Sequence, residues 1–252
     1  MIKTRVIPLL LLKDGLLKKP VNFKNPRTVA NPISIVRVFE ARQVDELILL
    51  DIGSGPQNRN VNPDIVRMVS EELTVPFACG GGINSVDQMA ALISAGAEKI
   101  VINSAAVEDP DLIKRAASRY GRQCIVVSID ALKQDDGSYE VYIRNGSEKA
   151  GLEAVSWAQE AEMRGAGEIL INAIACDGTM EGYDLDLIRA VSDAVDIPVI
   201  AAGGAGKPED FPPAVLTGHA SAVAAGSIYH YTKTTPDMVK QAMQSEGIPV
   251  RL

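Results

Sequence analysis

Cysteine is scarce in this chain: Cys79, Cys124 and Cys176 are the only three in 252 residues. They leave no even set for disulfides and no paired spacing for a metal ion, so a reducing cytoplasm is the expected setting. Histidine is scarcer, and neither His219 nor His230 has a partner at ligand spacing. No metal and no cofactor are therefore expected. Positive charge is also short. The 25 Lys and Arg against 32 Asp and Glu leave a net charge of −7, which excludes a broadly basic face for nucleic acid. Long apolar runs are missing too. The run Val6 to Leu12 stops at Lys13-Asp14, too short for a membrane span or a secretory leader. It reads as a buried strand.

What the chain does contain is a regular alternation. Short apolar runs, predicted as strands near 4–11, 46–52, 75–79, 98–103, 124–130, 167–174, 197–202 and 220–225, alternate with amphipathic stretches. Runs such as Ile125-Val126-Val127 and Leu47-Ile48-Leu49-Leu50 suit parallel strands buried on both faces. The amphipathic stretches predict helices near 32–43, 63–73, 85–95, 109–119, 151–165, 184–194, 208–217 and 235–245. Asn31-Pro32, Asn84-Ser85, Asp109-Pro110 and Thr235-Pro236 are start signals for four of them.

The second half of the chain repeats the first. Gly81-Gly82 matches Gly203-Gly204 (203 − 81 = 122), and Glu46 before Leu47 matches Glu168 before Ile169 (168 − 46 = 122). Gly96 and Gly218 keep the same offset. Eight βα units in two fourfold halves predict an α/β fold: a single (βα)8 TIM barrel over residues 1–252, built from two duplicated half-barrels. An open doubly wound sheet is the competitor, but a half-length duplication closes more naturally into a ring. Two segments break the rhythm. Lys13 to Ala30 reads as a long mixed loop after the first strand. Gln134 to Lys149 carries the turn dipeptides Asp136-Gly137 and Asn145-Gly146 and reads as a β-hairpin.

Glycines after barrel strands let backbone N–H groups approach an anion. Such sets occur at Gly80-Gly81-Gly82 and Asn103-Ser104 in the first half, and at Gly203-Gly204 and Gly226-Ser227 in the second. Gly178 lies in another small loop, Asp177-Gly178-Thr179. The later sets follow the seventh and eighth strands, a common phosphate location in barrels. Anion cradles on opposite rims imply an elongated ligand with a phosphate at each end. Tight turning alone is the plainer explanation for any single pair.

Asp130 ends a core strand and would face the barrel mouth, where a carboxyl can exchange protons. Asp51 ends the second strand in the same manner, and Asp177 lies in the loop after the sixth; either is equally readable as a loop carboxylate. Lys19, in the first loop, is a candidate anion clamp. In the half-repeat the counterpart of Asp130 is Leu11 (130 − 11 = 119). Cys79 and Cys176 read as packed residues. At the strand starts stand Arg5, Glu46, Lys99 and Glu168. They read either as surface ion pairs with helices or as a ring across the bottom opening.

With these residues assembled, the chain resembles the cyclase subunit of imidazole glycerol phosphate synthase over essentially its whole length. The resemblance is carried by Asp45-Glu46-Leu47, Gly80 to Ile83, Ile102 to Val107, Gly165 to Leu170, Asp177-Gly178-Thr179, Gly182-Tyr183-Asp184 and Ala202 to Gly206. It implies a barrel that docks a glutaminase subunit on its N-terminal face and passes ammonia to the top through a gate matching Arg5, Glu46, Lys99 and Glu168. It implies a bisphosphate substrate held by Lys19 and by two sites. One matches Gly82, Asn103 and Ser104, the other Gly178, Gly204, Gly226 and Ser227. It also implies an aspartate acid/base pair, of which Asp130 matches one member and Leu11 occupies the other position.

Further departures are Ala175-Cys176 before Asp177 and Ala202 where serine is common. A leucine cannot carry a proton, and losing one positioned acid or base removes about 10²–10⁴-fold of rate. Leu10 to Lys13 and Ile228 to Tyr231 resemble a branch associated with surface-polysaccharide synthesis. There the barrel supplies ammonia to a separate amidotransferase that makes an amidino sugar. The expectation is an ammonia-conducting subunit of that kind. The alternatives are a working histidine-pathway cyclase, with Asp51 or Asp177 replacing the missing acid, and a scaffold that only activates its glutaminase.

Overall fold

The computed structural model describes residues 3–53 and 61–252. In chain order the first half holds β1 (Arg5–Lys13), β2 (Leu16–Val21), β3 (Lys24–Ala30), α1 (Pro32–Ala41), β4 (Leu47–Asp51), α2 (Pro63–Ser70), β5 (Phe77–Gly80), α3 (Val86–Ser94), β6 (Lys99–Ile102), α4 (Ser104–Glu108) and α5 (Asp111–Tyr120). The second half holds β7 (Ile125–Lys133), β8 (Tyr139–Ile143), β9 (Glu148–Glu153), α6 (Ala154–Arg164), β10 (Glu168–Ala173), α7 (Leu185–Ser192), β11 (Val199–Ala202), α8 (Phe211–Leu216), β12 (Ala222–Ala225), α9 (Ser227–Tyr231) and α10 (Pro236–Ser245).

Eight parallel strands form the ring β1-β4-β5-β6-β7-β10-β11-β12, and β12 pairs with β1 to close it. This is a (βα)8 barrel, and closure pairs each of the eight ring strands on both sides. Alternation along each strand divides the apolar residues into two shells. Ile7, Leu9, Ile48, Val101, Val126 and Leu170 fill the inside of the ring. Val6, Leu10, Leu12, Leu47 and Leu49 face outward under the helices. Helix starts follow the capping residues read from the sequence. Asn31 Oδ1 accepts from Ile33 N, Ser85 Oγ from Gln88 N, and the Thr235 side chain from Met238 N.

Each half-barrel opens with a strand, an antiparallel hairpin and a helix: β1 with β2–β3, and β7 with β8–β9. The second hairpin matches its prediction. The first corrects one, because the segment after β1 is not an irregular loop. Asp14-Gly15 turns with both φ positive, at 54° and 76°, the signature of a two-residue hairpin turn. That dipeptide was the readable signal. It was obscured by β3, whose KNPRTVA sequence is exposed over most of its length and pairs with irregular register. The short helices α4 and α9, which open directly after Asn103 and Gly226, also had no periodic pattern long enough to predict.

Candidate functional site at the two ends of the barrel

The lower end is closed by charge. Arg5, Glu46, Lys99 and Glu168 each stand two residues before an inward-facing apolar residue, Ile7, Ile48, Val101 and Leu170. Period-two alternation therefore turns all four into the ring. Lys99 Nζ lies 2.9 Å from Glu46 and 3.1 Å from Glu168. Arg5 pairs with Glu46 and lies 3.0 Å from Glu168. Two cations and two anions thus satisfy one another, which four inward charges require. Burial works against the charged form of Arg5, but the two carboxylates outweigh it and raise its pKa. The set is an inward ring rather than scattered surface pairs.

The upper end gathers the predicted polar residues around two centres. Asp130 does not end its strand, because β7 runs on to Lys133 to pair with β8; it is buried within β7 and accepts from Asn103 Nδ2 at 3.0 Å and Asn172 Nδ2 at 3.5 Å. Burial first, and then the negative charge of Asp177, push its pKa up to about 7, against the lowering effect of the two amides. Opposite in the ring, four strands away, β1 carries Leu11, which shares the inward parity of Ile7 and Leu9 and is half-buried. Asn172 was not singled out from sequence. It continues the inward series Glu168, Leu170, Asn172, so the same alternation could have found it.

The second centre is an ion pair. Lys19 projects from β2 in the first hairpin, and its Nζ lies 2.7 Å from Asp177 Oδ1 with both side chains buried. The hairpin is held over this loop by Asn22, whose N–H donates to Asp177 O at 2.7 Å and whose Nδ2 donates to Ile174 O at 3.2 Å. Gly178 sits beneath it at φ +78°, where a Cβ would come within 2.5 Å of Pro20 O. The Lys19 stem crosses Gly226, whose own missing Cβ would lie 3.6 Å from Lys19 Cε. The next residue, Ser227, is buried, and its Oγ has no protein partner. Gly204 has φ +120° and packs so tightly that a Cβ would lie 2.0 Å from Gly182 O.

The first-half set lies across the mouth. Ser104 follows β6 and Ser227 follows β12, four strands apart in the ring of eight. Ser104 Oγ accepts from Arg144 N of the second hairpin at 2.9 Å. Asn103 is committed to Asp130 and to Ser128 O, at 3.1 Å. Asp51, half-buried at the end of β4, turns its Oδ1 back to Gly53 N at 2.8 Å. Gly82 adopts φ 66° after β5. The structure therefore joins Lys19, Asp177, Gly226 and Ser227 on one side, and Asn103, Ser104 and Asp130 on the other.

Cys79 is enclosed in β5, and burial pushes its thiol up to about 12, so it is packing rather than a nucleophile. Cys176 is half-buried and its pKa is also raised, by burial and then by nearby carboxylates. His219 pairs with Asp193 at 2.6 Å. His230, on α9, is held neutral by burial and by the charge of Lys19, with its pKa lowered to about 4. No helix among the described residues is long and apolar enough to cross a membrane.

Comparison with known proteins identifies the family. The family model described as histidine biosynthesis protein matches residues 5–235. Imidazole glycerol phosphate synthase subunit HisF of Dehalococcoides mccartyi is 47% identical over 252 residues, covering 100% of this chain and 99% of that protein. The subunit of the same name from Hyphomonas neptunium is 47% identical over 251 residues, with the same two coverages.

Proposed function

Because this chain belongs to the histidine biosynthesis protein family, we propose that it is the barrel subunit of a glutamine-dependent synthase of the imidazole glycerol phosphate type. A glutaminase docks at the charged lower end. Ammonia passes the ring of Arg5, Glu46, Lys99 and Glu168 and rises through the apolar interior to the mouth. There Lys19, Gly178, Gly204, Gly226 and Ser227 hold one phosphate of an elongated substrate. Gly82, Asn103 and Ser104 hold the other.

The relatives matching the whole chain are synthase subunits. They favour cyclisation of a bisphosphate ribulosyl intermediate, in the histidine pathway, as the use of that ammonia. The observation carrying this reading is Asp130, a buried carboxyl facing the mouth with a pKa of about 7. Such a group both gives and takes a proton at neutral pH. Asp177, whose charge bears on Asp130, is the available second acid; Asp51, turned back to Gly53, is a poorer one.

One observation favours a second reading. Leu11 stands across the ring from Asp130, where the half-repeat calls for the matching acid. In that reading the barrel conducts ammonia to a separate amidotransferase, as in amidino-sugar synthesis for surface polysaccharides. The link to polysaccharides rests on motif resemblance at Leu10 to Lys13 and Ile228 to Tyr231, and the relatives found lend it no support.

Complementation of a histidine auxotroph lacking the cyclase separates the two. Growth, with turnover of the pathway intermediate when the purified protein is given an ammonium salt, supports cyclisation. No growth, with ammonia released from glutamine by the reconstituted glutaminase complex, supports the conduit. Failure to stimulate or couple to any glutaminase sinks both.

A further inference from the structure

The Lys19–Asp177 pair has an unfinished side. Both residues are buried at 5% exposure, and Nζ sits 2.7 Å from Oδ1. Asp177 Oδ2 is buried without a protein partner. So is the Ser227 hydroxyl, beside the glycine that the Lys19 stem crosses. Unpaired buried oxygens are costly; one belongs to the carboxylate that holds the Lys19 ammonium, and the other follows the glycine against the Lys19 stem. An oxyanion seated at Gly226–Ser227 would reach for the same cation that Asp177 now holds. Two anions and one buried cation make a competition.

We propose that Asp177 is an internal stand-in for a ligand oxyanion at Lys19. An oxyanion captured at Gly226–Ser227 draws the ammonium away, and the released charge of Asp177 then bears on Asp130. This deepens the proposed function and rests on the mouth being an anion site. Its consequence is that anion capture loads a proton, taken from solvent, onto Asp130. The groups facing these side chains are compatible with that coupling. Asp130 meets the amides of Asn103 and Asn172 and the charge of Asp177. On β8 its register neighbour is Tyr142, with Lys149 over the ring at 5.9 Å. Lys19 meets Asp177 and His230, and the latter is neutral above its lowered pKa. Asp177 is thus a positioning residue that acts through Lys19.

The test uses sulfate, a dianion that does not titrate near neutrality, with affinity measured by calorimetry on the full chain. Asp177→Asn is expected to bind sulfate about tenfold tighter than the unaltered protein, a coupling of ordinary size for residues in direct contact. The same change in a Lys19→Met background is expected to give no tightening. The midpoint of Asp130, followed by carbon NMR of its carboxyl and identified with Asp130→Asn, should rise on adding sulfate. It should rise without sulfate in Lys19→Met, where Asp177 has lost its partner. It should fall in Asp177→Asn. Equal tightening in both backgrounds would indicate a simple field effect and overturn the inference. So would a midpoint that ignores Lys19→Met, or sulfate that binds neither the unaltered protein nor Asp177→Asn. None of these readouts uses turnover, so an inactive cyclase would leave them intact, whereas additive binding would sink the inference in an active one.

Discussion

Asp130→Asn offers the sharpest check on the electrostatics of the mouth. In the folded chain the carboxyl has a pKa of about 7, where a free aspartate titrates at 3.8. Each tenfold change in proton affinity is worth about 1.4 kcal/mol, so a charged Asp130 costs the fold at most about 4 kcal/mol. Between the two values the folded chain holds a proton that the unfolded chain has released. Stability from this group is therefore complete below about pH 4 and is lost as pH rises through 7. Asparagine keeps the shape and cannot ionise. From pH 5 to pH 8 the variant should gain about 3 kcal/mol relative to the unaltered protein. The difference between the two proteins is the quantity to use, because His230 contributes with the opposite sign. Its lowered pKa makes the fold lose stability as pH falls below the ordinary histidine range. Urea unfolding of both proteins at pH 5, 6, 7 and 8 is the assay. A stability difference that stays constant across that range would refute the argument that Asp130 is held protonated by burial and by Asp177, since the changed amide contacts would shift it equally at every pH.

Lys99→Ala leaves Glu46 and Glu168 with Arg5 as their remaining partner in the ring, a loss of about 1–3 kcal/mol for bonds to charged groups. The barrel should stay folded while coupling between glutamine hydrolysis and product formation changes; unchanged coupling in the reconstituted complex would argue against a gate there. Leu11→Asp places an acid opposite Asp130 and is expected to raise ammonia-dependent cyclisation by about 10²-fold if proton transfer limits it. An unchanged rate, with substrate binding shown by calorimetry, would mean that other parts of the mouth set the limit. Gly204→Ala should cost about 2 kcal/mol or more, because φ is +120° and the added Cβ would meet Gly182 O at 2.0 Å. A melting temperature equal to that of the unaltered chain would contradict the close approach seen there.

Much of the barrel was legible in the residue order because its signals are local. A strand buried on both faces is a short apolar run, and a helix start carries its own cap, as Asn31, Ser85 and Thr235 do here. The duplication supplied closure, and Leu11 could be matched to Asp130 by counting. What counting could not supply was distance. Whether Arg5, Glu46, Lys99 and Glu168 form a ring or separate surface pairs depends on strand register around the closed sheet, which brings residues up to 163 positions apart into contact. The hairpin β2–β3 was missed because its outer strand is exposed and irregular, so the apolar alternation that marks a strand is absent. Lys19 and Asp177 were each visible as candidates, but their pairing across 158 residues arises only when that hairpin folds over the loop after β10. Residue order therefore determined the eight barrel strands, the longer helices and the inward or outward parity of the strand residues, since those follow from chain-local sterics and hydrophobic periodicity. Tertiary structure decided which charges neutralise one another and how tightly Asp130 holds its proton, because those depend on burial and on charges brought close only by closing the ring.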